Sequence, residues 1–249
     1  MELFAEEFVT DLVAFVISAA CVAAYYLFLN MKVRENPTYS IHGVNALSRR
    51  LWVEHVMRSN SAKDIMAVQT LRNFIMAPSL MASTAALLII GTLTLSGQAD
   101  NISHSWHVLS IGGSHATTLW ILKVMMLLVD FIVAFFAFAM SVRLANHVLF
   151  MVNVPEPGTH HALAPRAVAH RLNRAGNMFA IGMRAFFFAI PLVFWLFGPY
   201  FLLISSAGLV LALYRLDRSE CLEVRESQAE FTASSQNAPV VPMHHKYAK

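Results

Sequence analysis

Long apolar blocks dominate this sequence and restrict what the chain can fold into. A helix needs about 20 mostly apolar residues to cross the roughly 30 Å of hydrocarbon in a bilayer. The blocks 12–29, 74–95 and 119–140 have about this length. A fourth block, 178–214, would be about 55 Å long as one helix, because each residue adds 1.5 Å. It is interrupted by Gly198-Pro199, a pair that is typical of turns.

We therefore interpret 178–214 as a tight helical hairpin with arms at 178–197 and 200–214. A re-entrant element is the alternative, because the second arm is short. The predicted fold class is an all-α polytopic membrane bundle of about five transmembrane helices. Composition agrees, since 57% of the residues are hydrophobic and only 13% are charged, against about 25% charged residues in soluble chains. The pI near 9.0 does not indicate nucleic-acid binding, because the basic residues flank apolar blocks.

The basic residues predict the orientation. All but two of the 18 Lys and Arg residues lie in 30–73, in 141–177 or after Tyr214. The N-terminal tail and the loop 96–118 contain none. Positive charge stays on the cytoplasmic side, so we expect the N-terminus outside and the C-terminus inside the inner (plasma) membrane of a cell. The two exceptions, Lys123 and Arg184, fall within spans.

One transmembrane domain is predicted over residues 1–218. It includes a cytoplasmic amphipathic helix near 46–57, whose basic side chains we expect to face lipid headgroups. The residues that mark this membrane face are Arg49, Arg50, Trp52 and Glu54. The remainder, 219–249, is polar and lacks apolar periodicity, which predicts a largely disordered cytoplasmic tail.

The second predicted helix carries a seam of polar residues along one face. At 100° per residue its members fall within an arc of about 140°, and they are Gln69, Arg72, Asn73, Ser79, Ser83 and Thr84. Ser and Thr commonly hydrogen-bond between packed membrane helices, so the seam could bind helices together. The alternative is that it forms one wall of a hydrophilic path, with Arg72 at the cytoplasmic mouth.

Asp130 is the most informative single residue, because it lies at the centre of 119–140. A carboxylate there costs at least ~2.5 kcal/mol unless it is neutral, paired or beside water. Arg184 and Arg72 are the candidate partners. Lys123 shares a helical face with Asp130, but its ammonium could instead extend to the outer surface. A structural ion pair and a proton or ion relay are the two interpretations.

The outer loop contains His104, His107 and His115, which are stronger candidates for a metal site than the pairs His160-His161 and His244-His245. Imidazoles bind copper or zinc, but no recognised ligand spacing is completed. Nucleotide-binding, nucleophile-elbow and zinc-protease motifs are absent from the sequence. We therefore predict neither a cofactor nor an enzyme, and a metal-binding membrane enzyme ranks last among the hypotheses.

Several short motifs resemble those of the domain-of-unknown-function family 599. They are Arg49-Arg50-Leu51-Trp52-Val53-Glu54, Gln69-Thr70-Leu71-Arg72-Asn73, Arg184-Ala185-Phe186-Phe187, Trp195-Leu196-Phe197-Gly198-Pro199 and Tyr214-Arg215-Leu216-Asp217. The resemblance covers about 30–218. It implies a multi-pass membrane protein of bacteria and plants, and it implies no established activity, substrate or cofactor. A bacterial origin is our expectation.

Three functions stay open at this point. The first is a channel or small transporter with a polar path from the cytoplasmic face toward Asp130. The second is a structural or accessory subunit of a membrane complex, and the third is the metal-binding enzyme. The lipid bilayer is the predicted partner, a homo-oligomer and a larger membrane complex are both open, and no nucleic acid is expected.

Overall fold

The computed structural model describes residues 2–36, 39–58, 64–97, 117–154 and 161–217. Six α-helices account for nearly all of them. Their bounds are α1 Glu2–Glu35, α2 Ile41–Arg58, α3 Asp64–Gly97, α4 Thr117–Val152, α5 Pro165–Trp195 and α6 Pro199–Asp217. The tail 219–249 and the outer-loop histidines lie outside the described residues.

Five of the helices, all except α2, are long and apolar enough to cross a membrane. This confirms the all-α class and the five predicted spans. The hairpin is present: α5 ends at Trp195, and α6 begins at Pro199. Gly198 turns the chain with a φ of 147°, a conformation that residues with a side chain rarely adopt. Helix α6 has 19 residues, or about 28 Å, so the last arm is long enough to cross a membrane.

The helices are longer than the apolar blocks. The 36 residues of α4 and the 31 of α5 extend well beyond a 30 Å hydrocarbon layer. Much of the predicted segment 141–177 is therefore helical rather than loop. The additional turns form a buried cluster with α2 and α3, made up of Val53, Leu71, Val148, Met151, Val168, Ala169 and Leu172. Burial of this surface keeps the helices ordered past the apolar blocks.

A helix, α2, covers the predicted segment 46–57, and it begins at Ile41 instead of near residue 46. Ser40 explains the earlier start, because its side-chain oxygen accepts a hydrogen bond from the Gly43 backbone N–H at 3.3 Å. This is an N-cap, which satisfies a backbone donor in the first turn. Val53 of α2 is fully buried in a cluster with residues of α3, α4 and α5, so α2 packs against the bundle.

The helices neighbour one another in the order α3, α4, α5, α6, α1. Helix α5 is central, since it also packs against α2. In the middle of the bundle Gly182 lies against the Phe138 ring, where an added Cβ would be 2.6 Å from a ring carbon. We call the end of the bundle that carries α2 the α2 end and the opposite end the far end.

Candidate functional site

A buried ion pair lies at the far end. The Lys123 ammonium is 2.9 Å from Asp11 Oδ1, and the Trp195 indole N–H donates to the same oxygen at 2.9 Å. The ammonium also lies 5.3 Å from the centroid of the Trp195 ring. All three side chains are buried. Lys123 therefore does not extend to the outer surface, because Asp11 provides a counter-charge inside the protein and joins α1 to α4 and α5.

A second polar cluster lies toward the α2 end, and it contains Tyr25, Tyr26, His42, Arg184 and Asp217. Tyr25 donates its hydroxyl hydrogen to Asp217 at 2.9 Å, and His42 Nε2 is 3.4 Å from the other oxygen of Asp217. The Arg184 guanidinium lies over the Tyr26 ring, 5.1 Å from its centroid. Helices α1, α2, α5 and α6 thus meet around one carboxylate and one guanidinium.

The two clusters are separated by about 21 Å along α1, from Asp11 to Tyr25, at 1.5 Å per residue. A hydrocarbon layer is roughly 30 Å thick. Both clusters therefore fit near opposite boundaries of one bilayer, with an apolar stretch of α1 between them.

Asp130 belongs to neither cluster. The structure brings it together with neither Arg184 nor Arg72, and Lys123 pairs with Asp11. Residues Ala185, Phe186 and Ala189 of α5 pack toward α4, whereas Arg184 packs toward α1. The Oδ2 atom of Asp130 is buried and has no hydrogen-bond partner within the described part of the chain. Asp130 is thus half-buried on an inward-facing side of α4, between buried residues Leu127 and Ala134.

The polar seam of α3 faces away from the other helices. Its exposed members are Gln69, Arg72, Asn73, Ser83 and Thr84, and Ser79 is half-buried. The three hydroxyls donate to carbonyls one turn earlier in α3, at 2.9 Å for Ser79, 3.2 Å for Ser83 and 3.0 Å for Thr84. These hydroxyls consequently join α3 to no other helix that the structure describes. A second chain would have to cover the seam before it could line a path.

The residues of the predicted membrane face have different environments. Arg50 is exposed and pairs with Glu54 at 3.2 Å, while Trp52 packs against the buried cluster of α2. Arg49 does not face the headgroups, because its Nε donates to the Asn173 side chain at 2.8 Å. Its guanidinium lies against Gly176, where an added Cβ would be 2.7 Å away. Partial burial lowers the pKa of Arg49, but a guanidinium remains charged in proteins.

Metal binding finds no support in the described helices, which contain no group of three or more His, Cys, Asp or Glu residues that could hold an ion. His104, His107 and His115 lie outside the described residues. The hypothesis of a metal site in the outer loop therefore stays a prediction.

A family model described as "Protein of unknown function, DUF599" matches residues 13–221. The chain belongs to this family. The family match includes the whole of the second polar cluster and Asp130, whereas Asp11 of the ion pair precedes it. No curated protein and no solved structure matches the chain. Because membership of the DUF599 family assigns no activity, function has to be argued from the geometry of the sites.

Sequence reasoning missed most of both clusters. Two signals could have found them. The basic residues Lys123 and Arg184 lie within spans and need compensation there, and the acids Asp11 and Asp217 lie at the ends of other spans. Choosing the correct pairs requires the helix order, which the sequence does not contain.

Proposed function

We propose that this multi-pass membrane protein is a small transporter in which Asp130 is a protonatable relay group. One observation supports the proposal: of the buried carboxylates in the described helices, Asp11 and Asp217 have partners, and Asp130 has none. Lys123 pairs with Asp11, and Asp217 accepts two hydrogen bonds, whereas Asp130 Oδ2 is buried without a partner. An uncompensated carboxylate in a span costs at least ~2.5 kcal/mol. Because an uncompensated carboxylate destabilises the fold, we infer that Asp130 serves proton or ion transfer.

The exposed seam of α3 extends the proposal to a homo-oligomer. A path along Gln69, Arg72 and Ser83 needs a second wall, since this face is open in one protomer. A second copy with its own α3 would supply that wall. We place the protein in the inner membrane with the α2 end in the cytoplasm, on the basis of the basic residues at that end.

Cysteine accessibility tests whether water reaches Asp130. The protein would be reconstituted in vesicles with Cys21 and Cys221 changed to Ser, and with Asp130→Cys added. We expect a membrane-impermeant maleimide to react with the new thiol from the α2 end. Ala134→Cys is the matched control, because Ala134 is fully buried one turn away and should stay unreactive.

Proton flux tests the relay itself. Vesicles containing a pH-sensitive dye and an imposed potassium diffusion potential would compare wild type with Asp130→Asn. We expect proton entry in wild type that falls at least tenfold in the variant. Ser205→Ala is the unaffected control, because the Ser205 hydroxyl donates within α6 and lies outside the proposed path. An unreactive Asp130→Cys together with equal fluxes in wild type and variant would contradict the transporter.

An accessory subunit is the second candidate, and the exposed seam is the observation that favours it. A partner protein of another sequence could cover α3 in place of a second copy. Purification at low detergent would then yield a defined hetero-complex that Arg72→Ala with Asn73→Ala disrupts. If the same purification yields a homo-oligomer instead, the transporter proposal is favoured.

A further inference from the structure

A groove runs along the membrane-facing side of α1, between the two polar clusters. It has a volume of about 380 Å³ and is open along its length rather than enclosed. Its walls are almost entirely apolar: Phe15, Ala19, Val22 and Ala23 come from α1, and Phe188, Pro191, Leu192 and Leu202 come from α5 and α6. From Phe15 to Tyr26 it extends about 16 Å at 1.5 Å per residue.

Two of the five buried side-chain polar atoms that lack a hydrogen-bond partner in the described part of the chain belong to residues that line this groove. Ser18 and Tyr26 line it, and the hydroxyl oxygens of both are buried without a hydrogen-bond partner within the described part of the chain. Ser18 as a residue is only 6% exposed. Buried polar groups in native proteins are normally satisfied. The Tyr26 hydroxyl, at the end of the groove nearest the second polar cluster, is therefore a donor that an acceptor of an occupant would satisfy, whereas Ser18 lies midway along the apolar walls.

A cation lies just past the Tyr26 end. Arg184 is one helical turn from the lining residue Phe188, and its guanidinium lies over the Tyr26 ring. Its Nε is buried without a partner, and no carboxylate of the described helices is within ion-pair distance of it. Asp217 is already bonded to Tyr25 and near His42. Arg184 and the Tyr26 hydroxyl are thus donors available to an anionic group.

We propose that this groove binds an anionic phospholipid, with one acyl chain along α1 and the phosphate near Arg184 and Tyr26. The length of the groove suits an acyl chain. The groove opens sideways at the depth of the spans, so an occupant enters from the bilayer. Only one end has a cation without an ion-pair partner, since Lys123 at the other end is paired with Asp11, and this matches the single charged head of a phospholipid. The groove is on the α1 side of α5, and the site is independent of the transport proposal at Asp130.

Native mass spectrometry of the full chain tests the proposal. Protein purified in detergent would be titrated with phosphatidylglycerol or with phosphatidylcholine of the same chains. We expect one phosphatidylglycerol to bind at least tenfold more tightly than phosphatidylcholine. Ala19→Trp fills the groove and should abolish retention of both lipids.

Two further variants separate the charge from the groove. Arg184→Gln should bring the affinity for phosphatidylglycerol down to that for phosphatidylcholine, and Tyr26→Phe should weaken it severalfold. Ala20→Trp is the matched control, because Ala20 is exposed on α1 and does not line the groove. Equal binding of the two lipids by wild type would overturn the proposal. Retention of phosphatidylglycerol by Ala19→Trp would also overturn it. So would a loss of phosphatidylglycerol binding in Ala20→Trp that is as large as the loss in Ala19→Trp.

Discussion

The two polar clusters along α1 differ in how completely their buried charged groups are paired. At the far end Lys123, Asp11 and Trp195 satisfy one another in a closed, dry arrangement. Toward the α2 end Asp217 is satisfied, while Arg184 and Tyr26 retain buried atoms without partners. The first arrangement is complete without any other molecule. The second retains donors, and we expect it to be the end of α1 where a ligand binds.

Loss of one partner of the far-end pair should have the largest effect. Lys123→Met leaves Asp11 buried without its counter-charge, which typically costs about 3–5 kcal/mol. Denaturant titration in detergent micelles would measure the free energy of unfolding. Asp11→Asn combined with Lys123→Met should recover at least half of the loss, because no charge is then left uncompensated. If the double variant is as unstable as the sum of the singles, the two side chains do not stabilise each other.

The adjacent tyrosines of α1 provide a matched comparison within the second cluster. Tyr25→Phe removes a hydrogen bond to a carboxylate, which should cost about 1.5–3 kcal/mol. Tyr26→Phe removes a hydroxyl that has no partner, so the free energy of unfolding should change by less than about 0.5 kcal/mol. The same titration in micelles, without added phospholipid, measures both. Equal losses would show that the Tyr26 hydroxyl is satisfied in the folded protein.

Asp130→Asn and Arg184→Gln should act independently. Their side chains lie on opposite sides of α5, and separated sites add within about 0.3–0.5 kcal/mol. Thermal unfolding of wild type, both singles and the double variant completes the cycle. If the double variant is more stable than the sum of the single losses predicts, Asp130 and Arg184 form the ion pair considered from the sequence. Asp130 would then not be an unpaired group, and the relay proposal would lose its support.

The seam of α3 should show the smallest effect. Ser83→Ala removes a hydroxyl that donates only to its own helix, so the unfolding free energy of the protomer should change by no more than about 0.5 kcal/mol. Ser141→Ala is the contrasting control, because the buried Ser141 hydroxyl donates across helices to the Ala175 carbonyl at 2.9 Å. It should cost about 1 kcal/mol or more. A similar loss for both would show that Ser83 has a partner outside α3.

The number of helices, the hairpin and the family were predictable from the residues alone. Span length follows from the thickness of the bilayer, so apolar blocks and Gly198-Pro199 were sufficient for five spans. The full lengths of the helices were not predicted, because the extra turns of α4 and α5 are stabilised by packing against α2 rather than by lipid. The cap at Ser40 is a local signal that would have corrected the start of α2.

The pairing of the charges depends on how the helices pack. From the sequence, Arg184, Arg72 and Lys123 were all possible ion-pair partners of Asp130, because spacing along one helix does not reveal which helix lies beside it. Arg184 of α5 lies against Tyr26 of α1, and Lys123 of α4 lies beside Asp11 of α1, although neither α4 nor α5 is next to α1 in the order α3, α4, α5, α6, α1. Electrostatic energy depends on distance between side chains, and for residues far apart in the chain that distance is fixed by packing. The partners of Lys123, the unpaired state of Asp130 and the groove beside Arg184 are all consequences of that packing.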